Sequence, residues 1–173
     1  MVVFYVSEFI LRKISEEHNA VDALDLAERA ADYVTLEMGY APNMAYIHDF
    51  FTAVPPGLTQ ADLHTFAIMQ DEAMTGIICL AQGYEYPTDW WIGLMLLDPA
   101  YRGRGHGHTV IEQIKAKARD AGMMMLKLSV LNANPRALKF WGREGFVLHR
   151  HAPATPESDG HDRVVLKYHL EGG

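Results

Sequence analysis

Between strand-like and helix-like stretches near the middle of the chain lies Leu97-Asp98-Pro99-Ala100-Tyr101-Arg102-Gly103-Arg104-Gly105-His106-Gly107-His108. Glycines at 103, 105 and 107 let the backbone approach a ligand with no Cβ in the way. The first amides of the following helix have no partner within it, and its dipole adds positive potential. Arg102 and Arg104 bring two full charges to the same place. Such a turn suits a pyrophosphate or another multiply charged anion. It is not a P-loop, because no Lys-Ser or Lys-Thr pair follows it. Its position past the middle of the chain is also unlike the first-strand glycines of dinucleotide-binding folds.

Other reactive side chains fit simpler roles. Cys79 sits in Gly76-Ile77-Ile78-Cys79-Leu80-Ala81 and reads as a small buried hydrophobe; alone, it excludes an internal disulfide. The histidines include His106-x-His108 and His149-x-His151, but three or four convergent metal ligands are not evident from spacing, so no metal is expected. Asn134-Pro135 supplies an N-cap and a first-turn proline for a short helix.

The elements that would position these residues follow in order. Phe9–Ile14 predicts a first strand, and a helical pattern runs from Ser15 to Gly39 with Val21, Leu24, Leu26 and Ala27 at near-helical spacing. A short helix is expected over Met44–Ala53, stopped by Pro55-Pro56-Gly57. Leu63–Met69 and Gly76–Ala81 predict a hairpin, and Trp90–Leu97 a strand apolar on both faces and hence central. His106–Ala121 predicts an amphipathic helix, Met124–Leu131 a strand, and Phe146–His149 with Arg163–His169 a final pair around the polar loop Pro153–His161. With no repeat or linker, residues 1–173 read as one mixed α/β domain.

Composition narrows the partners. Hydrophobic residues at 49% and charged residues at 21% argue against long disorder. The net charge of −7 is unevenly spread: residues 1–90 carry 14 acids and 3 bases, residues 91–173 carry 8 acids and 12 bases. The first half should favour cations and the second anions. Overall acidity argues against nucleic acid as partner. Met1–Val6 is apolar but lacks a basic leader and a cleavage site, and no run is long enough to span a bilayer, so a cytoplasmic protein is expected.

Arg102-Gly103-Arg104-Gly105-His106-Gly107 resembles the Arg/Gln-x-x-Gly-x-Gly signature of the GNAT superfamily of N-acetyltransferases. Ile92–Pro99 is similar to that family's fourth strand and Leu126–Val130 to its fifth. Asn134–Trp141, closing at Gly145-Phe146, is similar to its next helix. The resemblance runs over residues 76–148. It implies an α/β (α+β) fold: one mixed, mostly antiparallel sheet with splayed fourth and fifth strands and flanking helices. Acetyl-coenzyme A (acetyl-CoA) is then the expected acetyl donor. Met95, Leu96 and Leu97 would pair through their backbones with its pantetheine arm, and the Met95 N–H would polarise the thioester carbonyl. Amides from Gly103 to His108, with Arg102 and Arg104, would hold the pyrophosphate. Asn134, Ala137 and Trp141 would line the pantetheine, Asn134 doubling as the helix cap, and Lys139 could approach the 3′-phosphate.

The sequence departs from the family at the acid and base positions. Many members carry a tyrosine where Trp141 stands, to protonate the leaving thiolate, and some carry a base carboxylate near the position of Trp91. An indole cannot give up its proton near neutral pH. Glu85 is the first candidate base, Asp89 the second and His64 the third, with deprotonation through water an equal alternative. The expected acceptor is a primary amine, a small cationic amine or a peptide amine, given the acidic first half and Tyr84, Tyr86, Trp90 and Trp91. The alternative is a non-catalytic acyl-CoA-binding sensor on the same fold. A homodimer is compatible with the resemblance.

Overall fold

Short apolar runs along the chain form strands, and the computed structural model pairs them into one sheet. It describes residues 9–156 and 160–170. The apolar Met1–Val6 and part of the loop around 157–159 lie outside the described residues.

The strands are β1 (Phe9–Lys13), β2 (Leu63–Gln70), β3 (Ala73–Gln82), β4 (Asp89–Leu97), β5 (Met125–Leu131), β6 (Val147–Ala152) and β7 (Arg163–His169). The helices are α1 (Glu16–Arg29), α2 (Ala31–Met38), α3 (Met44–Thr52), α4 (His106–Asp120) and α5 (Pro135–Arg143). The sheet order is β1-β2-β3-β4-β5-β7-β6, which puts β4 at the centre, as its two-sided apolarity predicts. Every adjacent pair is antiparallel except β4–β5. The β2–β3 hairpin turns on Asp71-Glu72, with Asp71 at φ 53°.

The helical stretch expected from Ser15 to Gly39 is two helices rather than one. Ala30 leaves helical geometry at φ −102°, ψ 29°, and the chain restarts as α2. Alanine is the best helix former, so no local signal marks the break. Tertiary packing decides it, since Ala30 is fully buried against the sheet.

Two cores cover opposite faces of the sheet. One packs α1, α2 and α3 through Leu26, Ala27, Val34, Ile47 and Phe50 onto Ile77, Trp91 and Leu96. The other packs α4 and α5 through Ile111, Ile114 and Trp141 onto Ile78, Trp90, Leu126 and Leu128. Cys79 is buried as predicted, and burial pushes its thiol up to about 12, which leaves it inert at neutral pH. No helix among the described residues is long and apolar enough to cross a membrane.

Candidate active site

The central strand loses its partner halfway along. β4 pairs with β5 only from Asp89↔Met125 to Ile92↔Leu128. On its other side the β3 register runs Leu80↔Ile92 and then Cys79↔Leu94, so Gly93 is an extra residue. A bulge bends the strand and sharpens its twist. Here it falls where β4 and β5 part, leaving Gly93–Leu97 unpaired along the edge that faces β5. The gap opens into a cavity of about 680 Å³ walled by Ile92–Leu97 of β4, Leu128–Leu131 of β5, α5, the start of α4 and part of α2.

The glycine turn closes one end of that cavity. Gly103 and Gly105 adopt φ +73° and +84°, in the left-handed region that favours glycine, and Gly105 is the N-cap of α4. No side chain among the described residues caps this helix, so its first amides remain available. A Cβ built at Gly107 would lie 2.9 Å from the Phe140 ring, so that glycine brings α4 against α5.

The charged residues of the turn divide. Arg102 lines the cavity, but its Nε donates to the Leu97 carbonyl at 2.9 Å and its guanidinium forks onto Asp32 of α2 at 2.5 and 3.0 Å. That pairing holds the Asp32 carboxyl below its usual range. Arg104 is not part of the wall, and the His106 ring turns away to pack on Phe9 and Tyr101. His108 does reach the wall, where its Nδ1 lies 2.8 Å from Glu144, which is buried. Two further cations on the wall, Arg136 and Arg143 of α5, were not singled out from the sequence, whereas Lys139 is not there. Their helical spacing of seven, which puts both on one face, was the available signal.

The structure also brings His108, Glu112 and Glu144 together, with ligating atoms within 4.8 Å of one another. Spacing alone could not reveal this trio because Glu144 lies far along the chain. The Lys115 ammonium already occupies the Glu112 carboxylate at 2.8 Å.

On α5, the Asn134 side chain accepts the Ala137 N–H at 3.0 Å, so its oxygen serves the helix cap. Ala137 and Trp141 both line the cavity. Trp141 is 7% exposed and packs edge-on against Phe140 and Phe146, a wall rather than an acid.

The predicted base candidates are elsewhere. The Glu85 carboxylate meets Arg150 at 2.6 Å and buried Lys127 at 3.1 Å, and Asp89 meets Lys127 at 2.7 Å. Partial burial pushes the Glu85 carboxyl up, but its two cations outweigh that and leave it below the ordinary range. Neither carboxylate lines the cavity, and neither does His64, whose Nε2 lies 3.4 Å from Gln82. What faces the gap from the α1–α3 side is Asp32, Tyr33 and Leu36 of α2. Behind Tyr33 lies Glu37, whose carboxylate reaches Arg163 of β7 at 3.4 Å.

A fit to coenzyme A can be judged from the cavity itself. A Cβ built at Gly103 or Gly105 meets no atom within 4 Å, so the turn is open to a ligand's approach on that side. The unpaired edge of β4 offers amides and carbonyls at the spacing of an extended chain, as a pantetheine arm with its two amides requires. Arg136 and Arg143 stand nearby to balance phosphate charge. The residues fit.

A seven-stranded sheet parted beside a glycine turn defines a class of acyl-CoA-dependent transferases, and known proteins agree. The family model of the acetyltransferase (GNAT) family matches residues 28–146, and the chain belongs to that family. It is thus an N-acetyltransferase by family, and the family's acetyl donor is acetyl-CoA. No curated protein matches the sequence significantly. Among solved structures, an acetyltransferase from Thermus thermophilus is similar, with TM-score 0.74 and 20% identity over 93% of this chain and 96% of that one. Spermidine N-acetyltransferase from Vibrio cholerae, in complex with CoA and spermine, gives TM-score 0.71 and 13% identity over 95% and 96%. The ribosomal-protein-S18-alanine N-acetyltransferase from Escherichia coli gives 0.69 and 13% over 96% of each chain. At these identities the likeness is one of fold.

Proposed function

We propose that this protein transfers an acetyl group from acetyl-CoA to a primary amine by direct attack on the thioester. One observation carries the reading: the parting of β4 from β5 and the uncapped N-terminus of α4 open into the same cavity. Bound acetyl-CoA supplies an acetyl group activated as a thioester.

In this reading the chain's own groups bind and orient. The backbones of Met95, Leu96 and Leu97 pair with the arm, and the N–H at Met95 donates to the thioester carbonyl, where negative charge grows during attack. Gly103 to His108 present amides to the pyrophosphate, with Arg136 and Arg143 adding charge that Arg102 gives to Asp32. Arg104, outside the cavity wall, adds positive potential to the turn. Asn134, Ala137 and Trp141 hold the arm from α5. Most of the rate comes from positioning and carbonyl polarisation. Glu85 stands outside the cavity wall, so the amine loses its proton to another group or to water. The acidic α1–α2 side favours a small cationic amine or a peptide amine as acceptor. A cytoplasmic setting and a homodimer accompany the reading.

Calorimetry with acetyl-CoA, using ATP as comparator, tests it. Binding in the micromolar range is expected, with loss in Gly105→Glu, which strains a left-handed residue and repels phosphate. A folded protein that ignores acetyl-CoA, or prefers ATP, refutes the proposal. Cationic amines should then release thiol faster than neutral or anionic ones.

A second reading, a non-catalytic acyl-CoA sensor, is favoured by Trp141 at the usual acid position and by the ion pairs that occupy Glu85. It predicts binding without turnover on any amine.

A further inference from the structure

None of the positions expected to handle protons places an acid or base on the cavity wall. Trp141 has no exchangeable acid, and Glu85, Asp89 and His64 stand outside the cavity wall. The ionisable side chains that do line it divide by location. Arg102, His108, Arg136, Arg143 and Glu144 belong to the turn or to α5 and its neighbours. Asp32 and Tyr33 belong to α2, and Asp32 is spent on Arg102.

Tyr33 is different. It lies on the side of the sheet opposite Trp141, packed among the α1–α3 core with Leu94 of the parted strand. It lines the cavity, Glu37 follows it by four residues on the same face of α2, and Arg163 of β7 meets the Glu37 carboxylate at 3.4 Å. In the same neighbourhood the Tyr46 hydroxyl is buried and has no hydrogen-bond partner among the described residues. Among the described residues, the groups around Tyr33 include the Glu37 carboxylate, the Arg163 guanidinium and the Tyr46 phenol.

Building on the transferase reading, we propose that Tyr33 is a catalytic residue that contacts the acceptor amine, with Glu37 as the proton acceptor behind it and Arg163 as the group that positions Glu37. The acceptor ammonium loses its first proton to water and reaches the site as a neutral amine. Its lone pair forms the C–N bond while the C–S bond breaks and leaves its electron pair on sulfur. The proton shed by nitrogen passes to Tyr33 Oη as the phenolic proton passes to Glu37. Glu37 then releases that proton to solvent, and the thiolate takes one from solvent, so the enzyme is restored. Tyr33 itself never ionises, in keeping with burial and the Glu37 charge, which both push its phenol upward.

The test removes single atoms. Tyr33→Phe should lower kcat by about 100-fold or more, the range of general acid–base groups. Its affinity for acetyl-CoA should stay at the wild-type value, which also reports folding. Glu37→Gln should lower kcat as well, and the double variant should be no slower than Tyr33→Phe within about twofold, because the two residues act as a unit. Glu37→Asp, which keeps a carboxylate, should recover at least about tenfold of the kcat lost in Glu37→Gln, a rescue that a merely structural role would not give. Turnover in Tyr33→Phe within about threefold of wild type, additive losses in the double variant, or no recovery in Glu37→Asp overturns the proposal. Wild-type protein that acetylates no amine refutes the transferase reading itself, whereas wild-type turnover that survives in Tyr33→Phe refutes only this assignment.

Discussion

Lys127 carries its ammonium into the sheet with only 2% of its side chain exposed, between Asp89 at 2.7 Å and Glu85 at 3.1 Å. Removing one member of a buried ionic group strands the others, at a cost of about 3–5 kcal/mol. Lys127→Met is therefore expected to lower the unfolding free energy by about that amount in urea melts, since Asp89 keeps 5% exposure and loses its cation. Such residues show what was legible at this scale. The glycine turn could be read because its chemistry is local: Gly103, Gly105 and Gly107 sit within five residues. The partner of Arg102 could not, since Asp32 is 70 positions away and only the tertiary fold joins them. Glu85 looked available in the sequence for the same reason, because neither Lys127 nor Arg150 is near it along the chain.

Helix α2 is tied at two points, to the turn after β4 and to β7. Its Asp32 ties it to the turn after β4 through Arg102, and its Glu37 ties it to β7 through Arg163. Asp32 is 60% exposed, so this pair does little for global stability. Asp32→Asn should thus leave the urea midpoint nearly unchanged while amide hydrogen exchange speeds up within α2. Unchanged exchange there would show that packing of Val34 alone holds the helix. The strands and the helices α3 to α5 were legible because their apolar periods are strong and their ends carry turn or cap residues. The break at Ala30 was not, as a buried alanine carries no stop signal. The family resemblance implied that β4 and β5 splay; the register adds where, at the bulge residue Gly93.

Across the whole molecule, the uneven charge of the two sequence halves becomes a difference between two faces. The acidic half builds α1 to α3 on one side, and the more basic half builds α4 and α5 on the other. Several carboxylates that tie the halves together are held below their ordinary range. Arg102 does this for Asp32; for Asp98 and Glu85 partial burial opposes the shift, but hydrogen bonds and cations prevail. A depressed folded-state pKa gives stability that is present above the unfolded value and lost as pH falls through the folded one. Thermal melts should accordingly show a steady midpoint near neutrality and a decline that sets in within the carboxylate range and deepens below it. A midpoint that rose on acidification would contradict these pairings. The four-residue seam between β4 and β5, against seven paired residues between β5 and β7, has a mechanical consequence as well. The sheet is two blades riveted at one end, so a pulling force applied across it should shear the seam before any other strand pair, and a ligand lodged between the blades would act as a second rivet that raises the rupture force.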